Sequence, residues 1–413
     1  MRASSIANNL RTYPAAFLCA AMLVVYFASV AGAPGVLQIS VMLGSGLLFG
    51  AILLLQLQRG GQWMAVVLIL GLVVIALGIP STGWDARSIW LFHAKRIFFE
   101  GNAFAQLDGY AGWSHNDYPS LLPVLMASVA QGVGHWNEVF PKALVPLAMA
   151  PALMVVSRRL GTTEARLVFA ATLFWVGGSH LVDGYMDVLL ALTFVATFIL
   201  VSDIVAARQP AWPDLLQAGL MGSILTLIKN EGAVLLLCVA VAGLLLMMLR
   251  ERRIHWSLLL ALAVSILPLL FWKLAVSRAG LSNDLADSEL GAQLAQRFTD
   301  GDAYVLVAKS LLLQLPSLLL GVPLIILALF GRWRSASFES LLVCTGYLCV
   351  LIVVYLSTPN DLAWHLSTSN DRTLLPIWLL AAFAVIRGTL QPANDVARPQ
   401  DQAVVLSSSE KNH

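Results

Sequence analysis

Charge is scarce in this chain. Of 413 residues, 12% are Asp, Glu, Lys or Arg and 59% are hydrophobic, whereas a soluble domain carries about 25% charged residues. The shortage excludes an ordinary soluble domain and fits a polytopic membrane protein. Cysteine is nearly absent too. Cys19, Cys238, Cys344 and Cys349 lie in apolar runs and none has C-x-x-C spacing, which removes a disulfide framework or thiolate zinc site and leaves small buried hydrophobes. The chain has no Gly-rich phosphate loop and no internal repeat. None of His93, His115, His135, His180 and His365 has H-x-x-x-H or H-E-x-x-H spacing. The net charge of +2 is spread over short loops rather than gathered in one patch, so no nucleic-acid partner is expected.

What the chain has is long apolar runs. Stretches of about 17–25 residues are the lengths that cross a bilayer. They predict spans near 15–33, 35–57, 63–80, 139–157, 165–181, 185–206, 213–229, 231–249, 256–278, 304–330, 338–357 and 373–388. The expected fold is an all-α polytopic membrane protein of about twelve transmembrane helices. A single transmembrane domain would cover 1–390, followed by a polar, disordered cytoplasmic tail over 391–413. Ala31-Gly32-Ala33 mimics a signal-peptidase site, but Pro34 and further spans follow, so the first span is expected to stay uncleaved. The short, Pro- and Gly-containing segment 119–134 reads either as a span or as a re-entrant helix.

Basic residues arbitrate the topology. With Arg2 and Arg11 inside, the parity that leaves 119–134 uncrossed also puts Arg59, Arg158, Arg159, Arg166, Arg208, Arg250, Arg252, Arg253, Arg332, Arg334, Arg387 and Arg398 inside, as positive-inside patterning requires. Most acids then fall outside, in loops 81–138, 178–184, 229–231, 279–303 and 358–372. The largest loop, 81–138, opens with an amphipathic pattern. Ile89, Trp90, His93 and Ile97 form one stripe, with Asp85, Arg87, Ser88, Lys95 and Arg96 facing away, as in a helix lying on the membrane surface. Trp84, Trp90, Trp113 and Trp136 suit the interface.

Ionisable residues at this level are expensive and usually functional. Asp85, after Gly83-Trp84, reads either as a helix N-cap or as a general base. Asp187 reads as the partner of Lys229 or Arg372 in a structural ion pair, or as a site carboxylate. Lys229 and Glu231, in Lys229-Asn230-Glu231-Gly232, either pair with each other or contact a phosphate and a hydroxyl or metal. Arg372, at the end of Trp364–Arg372, is either a snorkelling interface arginine or a fork for phosphate oxygens. Asp117 and Tyr118, in Asn116-Asp117-Tyr118-Pro119, and His365 are candidate substrate contacts, His115 and His365 having acids near them in sequence.

In order and sidedness these motifs resemble the GT-C superfamily of integral-membrane glycosyltransferases, nearest the bacterial branch related to protein O-mannosyltransferases and aminoarabinose transferases. The likeness rests on Asp85 after an early span, the long first loop 86–118, Tyr118-Pro119 opening the next apolar helix, Tyr185-Met186-Asp187-Val188-Leu189-Leu190, Lys229–Gly232 and Trp364–Arg372. It departs where many relatives have Asp-Glu against Asp85-Ala86 here, Pro-Pro against Tyr118-Pro119, and a large C-terminal soluble domain. The resemblance implies a GT-C-like fold with juxtamembrane helices in the first periplasmic loop. It also implies a polyprenyl-phosphate-linked sugar donor, a glycan, lipid or protein acceptor, and a periplasm-facing site in the bacterial inner membrane. Asp85 would be the base, Asp187 a second catalytic group, and Lys229 and Arg372 the donor-phosphate contacts. Tyr118, Asp117, Glu231 and His365 would contact substrate. A divalent metal stays open. Rival classes are a transporter or flippase for a lipid-linked or anionic solute, a structural subunit of an envelope complex, and an O-antigen-ligase-like enzyme.

Overall fold

The computed structural model describes residues 9–33, 35–58, 61–281, 295, 297–330 and 336–390. The expected tail over 391–413, part of the loop 279–303, and Arg2, Arg59, Arg332, Arg334 and Arg398 lie outside the described residues. Within them the chain is helical and contains no strand.

The chain forms α1 (Pro14–Val30), α2 (Gly35–Leu57), α3 (Gln62–Gly78), α4 (Leu91–Glu100), α5 (Leu121–Val133), α6 (Val139–Leu160) and α7 (Thr163–Gly177). It continues with α8 (Asp187–Ala206), α9 (Trp212–Ile228), α10 (Glu231–Glu251), α11 (Trp256–Arg278), α12 (Gly301–Leu312), α13 (Ser317–Phe330), α14 (Ala336–Ser357) and α15 (Leu362–Leu390). Every predicted span is largely helical. Among the described residues, however, seven helices are long and apolar enough to cross a membrane, namely α2, α6, α8, α10, α11, α14 and α15. The pair α12–α13, bent by 74° at its break, makes an eighth if it counts as one span. Helices α1 and α3 have 17 residues each, a rise of about 25 Å against a hydrocarbon core of about 30 Å. The apolar runs overstate them because they continue past the helix ends, through the left-handed Gly32 in one case and Ile79-Pro80 in the other. The protein is thus a helical, multi-pass membrane protein, and twelve crossings are more than helix length alone supports.

Helix α8 is the hub. Its residues from Asp187 to Leu200 are all buried, which is why it shows no polar face. A helix that is apolar all round belongs inside a bundle. Two ends of the bundle can be told apart by their polar contacts. At one end, Lys142 near the start of α6 donates to Ile79 O beyond α3, and Ser81 Oγ donates to Asp183 O just before α8, at 2.9 Å. At the other, Arg159 near the end of α6 lies 2.8 Å from Asp203 near the end of α8. There, too, the buried Glu339 of α14 accepts from Ser202 and from Arg250 of α10.

Helix α5, 13 residues long, rises about 20 Å and begins and finishes at the first of these ends. Tyr118 precedes it beside Trp90. After it, Trp136 packs on Phe98 and Glu138 lies 3.6 Å from Arg87. The segments that flank α5 therefore meet the same end of the bundle. The amphipathic stripe also behaves differently from the surface helix expected of it. Ile89, Trp90, His93 and Ile97 are all buried within the protein core. Helix α5 supplies the apolar face they need, so they do not lie in lipid. Trp90 is 1% exposed and belongs to the core, whereas Trp84 at 65% and Trp113 at 56% remain exposed.

Candidate functional site

Asp85 follows Gly83 and Trp84 where the chain enters a π-helical turn, Ala86–Trp90. A Cβ on Gly83 would collide with the ring of Tyr185, so glycine there lets that ring pass beneath. The Asp85 carboxylate makes no capping hydrogen bond. It accepts from Arg372 Nη1 instead. The Arg372 guanidinium also sits 5.3 Å from the Tyr185 ring centroid and 3.9 Å from Asp187 Oδ2. Arg372 is mostly covered, its side chain 19% exposed, and so does not snorkel.

Asp187 opens α8, where free backbone N–H groups and the helix dipole favour a carboxylate. It is buried and accepts from Lys229 Nζ at 2.9 Å. Lys229 leaves the helical path at the end of α9, with φ −149° and ψ 164°. Its ammonium lies 3.2 Å from Glu231 Oε1. Gly232 completes the turn because a Cβ there would strike the carbonyl of Leu225. Each ion-pair alternative for Asp187 is therefore realised at once, and Lys229 and Glu231 also pair with each other. The outcome is one chain of alternating charge, Asp85–Arg372–Asp187–Lys229–Glu231, drawn from four places in the fold. A buried pair of this kind is costly to desolvate and strongly destabilising to break from one side.

The loop before α5 docks against this chain. Tyr118 stacks on His115 with ring centroids 4.8 Å apart and lies 5.6 Å from Trp90. Lys229 Nζ sits 5.9 Å from the Tyr118 ring centroid. Burial, with Glu231 nearby, pushes the Tyr118 phenol well above its ordinary value; it stays protonated and able to donate. Asp117 is buried and accepts from Asn230 Nδ2 at 2.7 Å and Lys273 Nζ at 3.2 Å. Trp272 Nε1 donates to its backbone carbonyl at 3.1 Å. The loop is held from below by His93, whose Nε2 lies 2.9 Å from Ser114 Oγ and 3.2 Å from Asn116 Oδ1. Burial drives the His93 pKa down to about 3, so it is neutral at physiological pH.

The structure thus brings together Asp85, Arg372, Asp187, Lys229, Glu231 and Tyr118, with Asp117 adjoining through Asn230. His365 is not in this network. It lies two turns before Arg372 on α15, with Nδ1 2.8 Å from Thr358 Oγ1 and its ring 5.1 Å from that of Tyr355. Sequence reasoning missed Lys273 because it lies inside a predicted span; a lysine in such a run is itself the signal that finds it. Among the described residues no group of three or more His, Cys, Asp or Glu is placed to hold a metal.

Three buried acceptors of the cluster lack hydrogen-bond donors: Asp187 Oδ2, Glu231 Oε2 and Asn230 Oδ1. Buried polar atoms are normally satisfied, so these three are the acceptors of the cluster left open to a further donor. The four carboxylates Asp85, Asp117, Asp187 and Glu231 face the three cations Arg372, Lys229 and Lys273, so an incoming anion must take a cation from a carboxylate. The chain matches no protein-family model, no curated protein and no solved structure.

Proposed function

We propose that the protein is a GT-C-type glycosyltransferase of about twelve spans. In this reading it moves a sugar from a polyprenyl-phosphate donor to an acceptor hydroxyl at the periplasmic face of the bacterial inner membrane. The observation that carries the reading is the continuous chain of charge from Asp85 to Glu231, buried at Asp187 and Lys229, held at one end of a lipid-embedded bundle and left with unsatisfied acceptor oxygens.

The donor phosphate takes the Arg372 fork, with Lys229 as a second cation. Loss of Arg372 frees Asp85, which removes the proton from the acceptor hydroxyl as that oxygen attacks the anomeric carbon. The bond from that carbon to the phosphate oxygen breaks, and polyprenyl phosphate leaves with its charge met by Arg372 and Lys229. Single displacement inverts the anomeric centre, as in one-step glycoside chemistry. Asp187 holds Lys229 through Oδ1 and Arg372 through Oδ2; once Arg372 turns to the phosphate, that Oδ2, Glu231 and Tyr118 orient sugar hydroxyls. Transport is the competing class. Transporter sites lie near the midplane between repeats, whereas this cluster lies at helix ends. The broken pair α12–α13 satisfies its own polar groups, Gln314 Nε2 on Ser310 O and Ser317 Oγ on Leu311 O.

The test is reconstitution of the full chain in liposomes with polyprenyl-phosphate-linked sugars and glycan, lipid and peptide acceptors. Sugar covalently joined to an acceptor, with polyprenyl phosphate released in equal amount, supports the reading. Donor that crosses the bilayer chemically unchanged overturns it in favour of transport.

A further inference from the structure

Far from the charge chain, at the end of the bundle where Arg159 meets Asp203, a groove of about 280 Å³ runs between α3, α6 and α7. Its volume sits near the low end of small-molecule clefts, roughly 300–1,000 Å³. Trp63, Val67 and Leu167 are exposed along it, so it faces the bilayer. Its polarity is graded. The polar lining residues are Ser157 and Arg166, and both sit beside Gly61 at one rim. Arg166 Nε donates to Ser157 O at 2.9 Å, and Ser157 Oγ donates to Gly61 O at 3.4 Å. Gly61, at φ +82°, leaves the space that the guanidinium fills, since a Cβ there would overlap Arg166. From that rim, Met64 and Leu68 on α3, Leu153 and Val156 on α6, and Phe169 and Ala170 on α7 all lie toward the middle of the bundle.

The neighbouring arginines are already engaged, Arg158 with Thr12 O and Arg159 with Asp203. Arg166 Nη1 and Nη2 have no acceptor among the described residues beyond the Nε bond. A guanidinium fork open at the headgroup level above an apolar slot, with the slot running toward the membrane interior, matches an amphiphile whose anion sits at one end. We infer that this groove binds an anionic phospholipid, one acyl chain lying against Phe169 and Ala170 and a phosphate oxygen accepting from Arg166. The site is independent of the proposed transferase cluster.

Native mass spectrometry of the purified full chain tests it, with dioleoyl phosphatidylglycerol and dioleoyl phosphatidylcholine as probes. The wild-type protein should retain phosphatidylglycerol about tenfold better than phosphatidylcholine, the factor that roughly one charge-assisted hydrogen bond supplies. Arg166→Ala should abolish that preference, and Ala170→Trp, which fills the slot without touching the charge, should lower retention of both lipids. Arg208→Ala, at the same end of the bundle but outside the groove, should change neither. The proposal fails if the two lipids are held equally by the wild type, if Arg166→Ala or Ala170→Trp retains phosphatidylglycerol as the wild type does, or if Arg208→Ala removes the preference.

Discussion

Replacing Lys229 with Met removes a cation that touches both Asp187 and Glu231, at 2.9 and 3.2 Å. Methionine keeps the length of the side chain and its apolar stem. Asp187 is then a carboxylate 4% exposed, and its nearest remaining cation is Arg372 at 3.9 Å. Breaking a buried ion pair from one side costs about 3–5 kcal/mol. The Arg372 contact offsets part of that, so a loss near the lower figure, about 3 kcal/mol, is expected. Asp187→Asn should cost less, because Lys229 keeps Glu231 and the amide oxygen still accepts. The double variant should regain much of the loss from Lys229→Met, because no buried charge is stranded. The assay is a double-mutant cycle on unfolding free energy in mixed micelles, where coupling is read directly. A Lys229→Met variant within about 0.5 kcal/mol of wild type, the range of an unremarkable surface substitution, would refute the reasoning. So would a double variant no more stable than the single one.

Other outcomes follow from the same geometry. Acidification should destabilise the loop that carries Asp117 and Tyr118. His93 is neutral in the fold with a pKa of about 3, against about 6.5 unfolded; its contribution is therefore present above about pH 6.5 and is lost as pH falls toward 3. At pH 5 the loss should be about 2 kcal/mol, and His93→Gln should flatten the pH dependence in that window by thermal melting. Gly83→Ala should displace the Tyr185 ring and with it Arg372, lowering turnover at least tenfold while the melting temperature moves by a few degrees; unchanged turnover would show that Tyr185 does not position Arg372. Arg372→Ala should raise the apparent KM for donor more than that for acceptor, and equal effects on both would count against a phosphate contact. A single cysteine at position 115 should react with an impermeant maleimide from the side opposite to one at position 208.

Much of the cluster was legible as chemistry rather than as geometry. Asp85, Asp187, Lys229, Glu231 and Arg372 stand out because a charge at the edge of an apolar run must be paired, solvated or used. Which carboxylate meets which cation depends on how α8, the α9–α10 turn and α15 pack, and no local pattern encodes that. Lys273 was hidden by an otherwise apolar span, and its partner Asp117 lies 156 residues away along the chain. The stripe through Trp90 and His93 was correctly amphipathic, but hydrophobic periodicity does not distinguish a face that meets lipid from one that meets α5. Span boundaries ran long because Ile79-Pro80 and Ala31-Gly32 are apolar without being helical. The Glu339–Arg250 pair at the far end escaped notice because each residue alone looks like an ordinary loop-edge charge.

The most direct test of the central claim is a single-turnover measurement on Asp85→Asn with a polyprenyl-phosphate-linked sugar pre-bound. Expected are undiminished donor binding, a melting temperature lowered by no more than a few degrees because Arg372 keeps Asp187, and transfer slowed by at least about a hundredfold, the lower range for loss of a general base. Transfer at the wild-type rate by a folded, donor-loaded Asp85→Asn protein would contradict it.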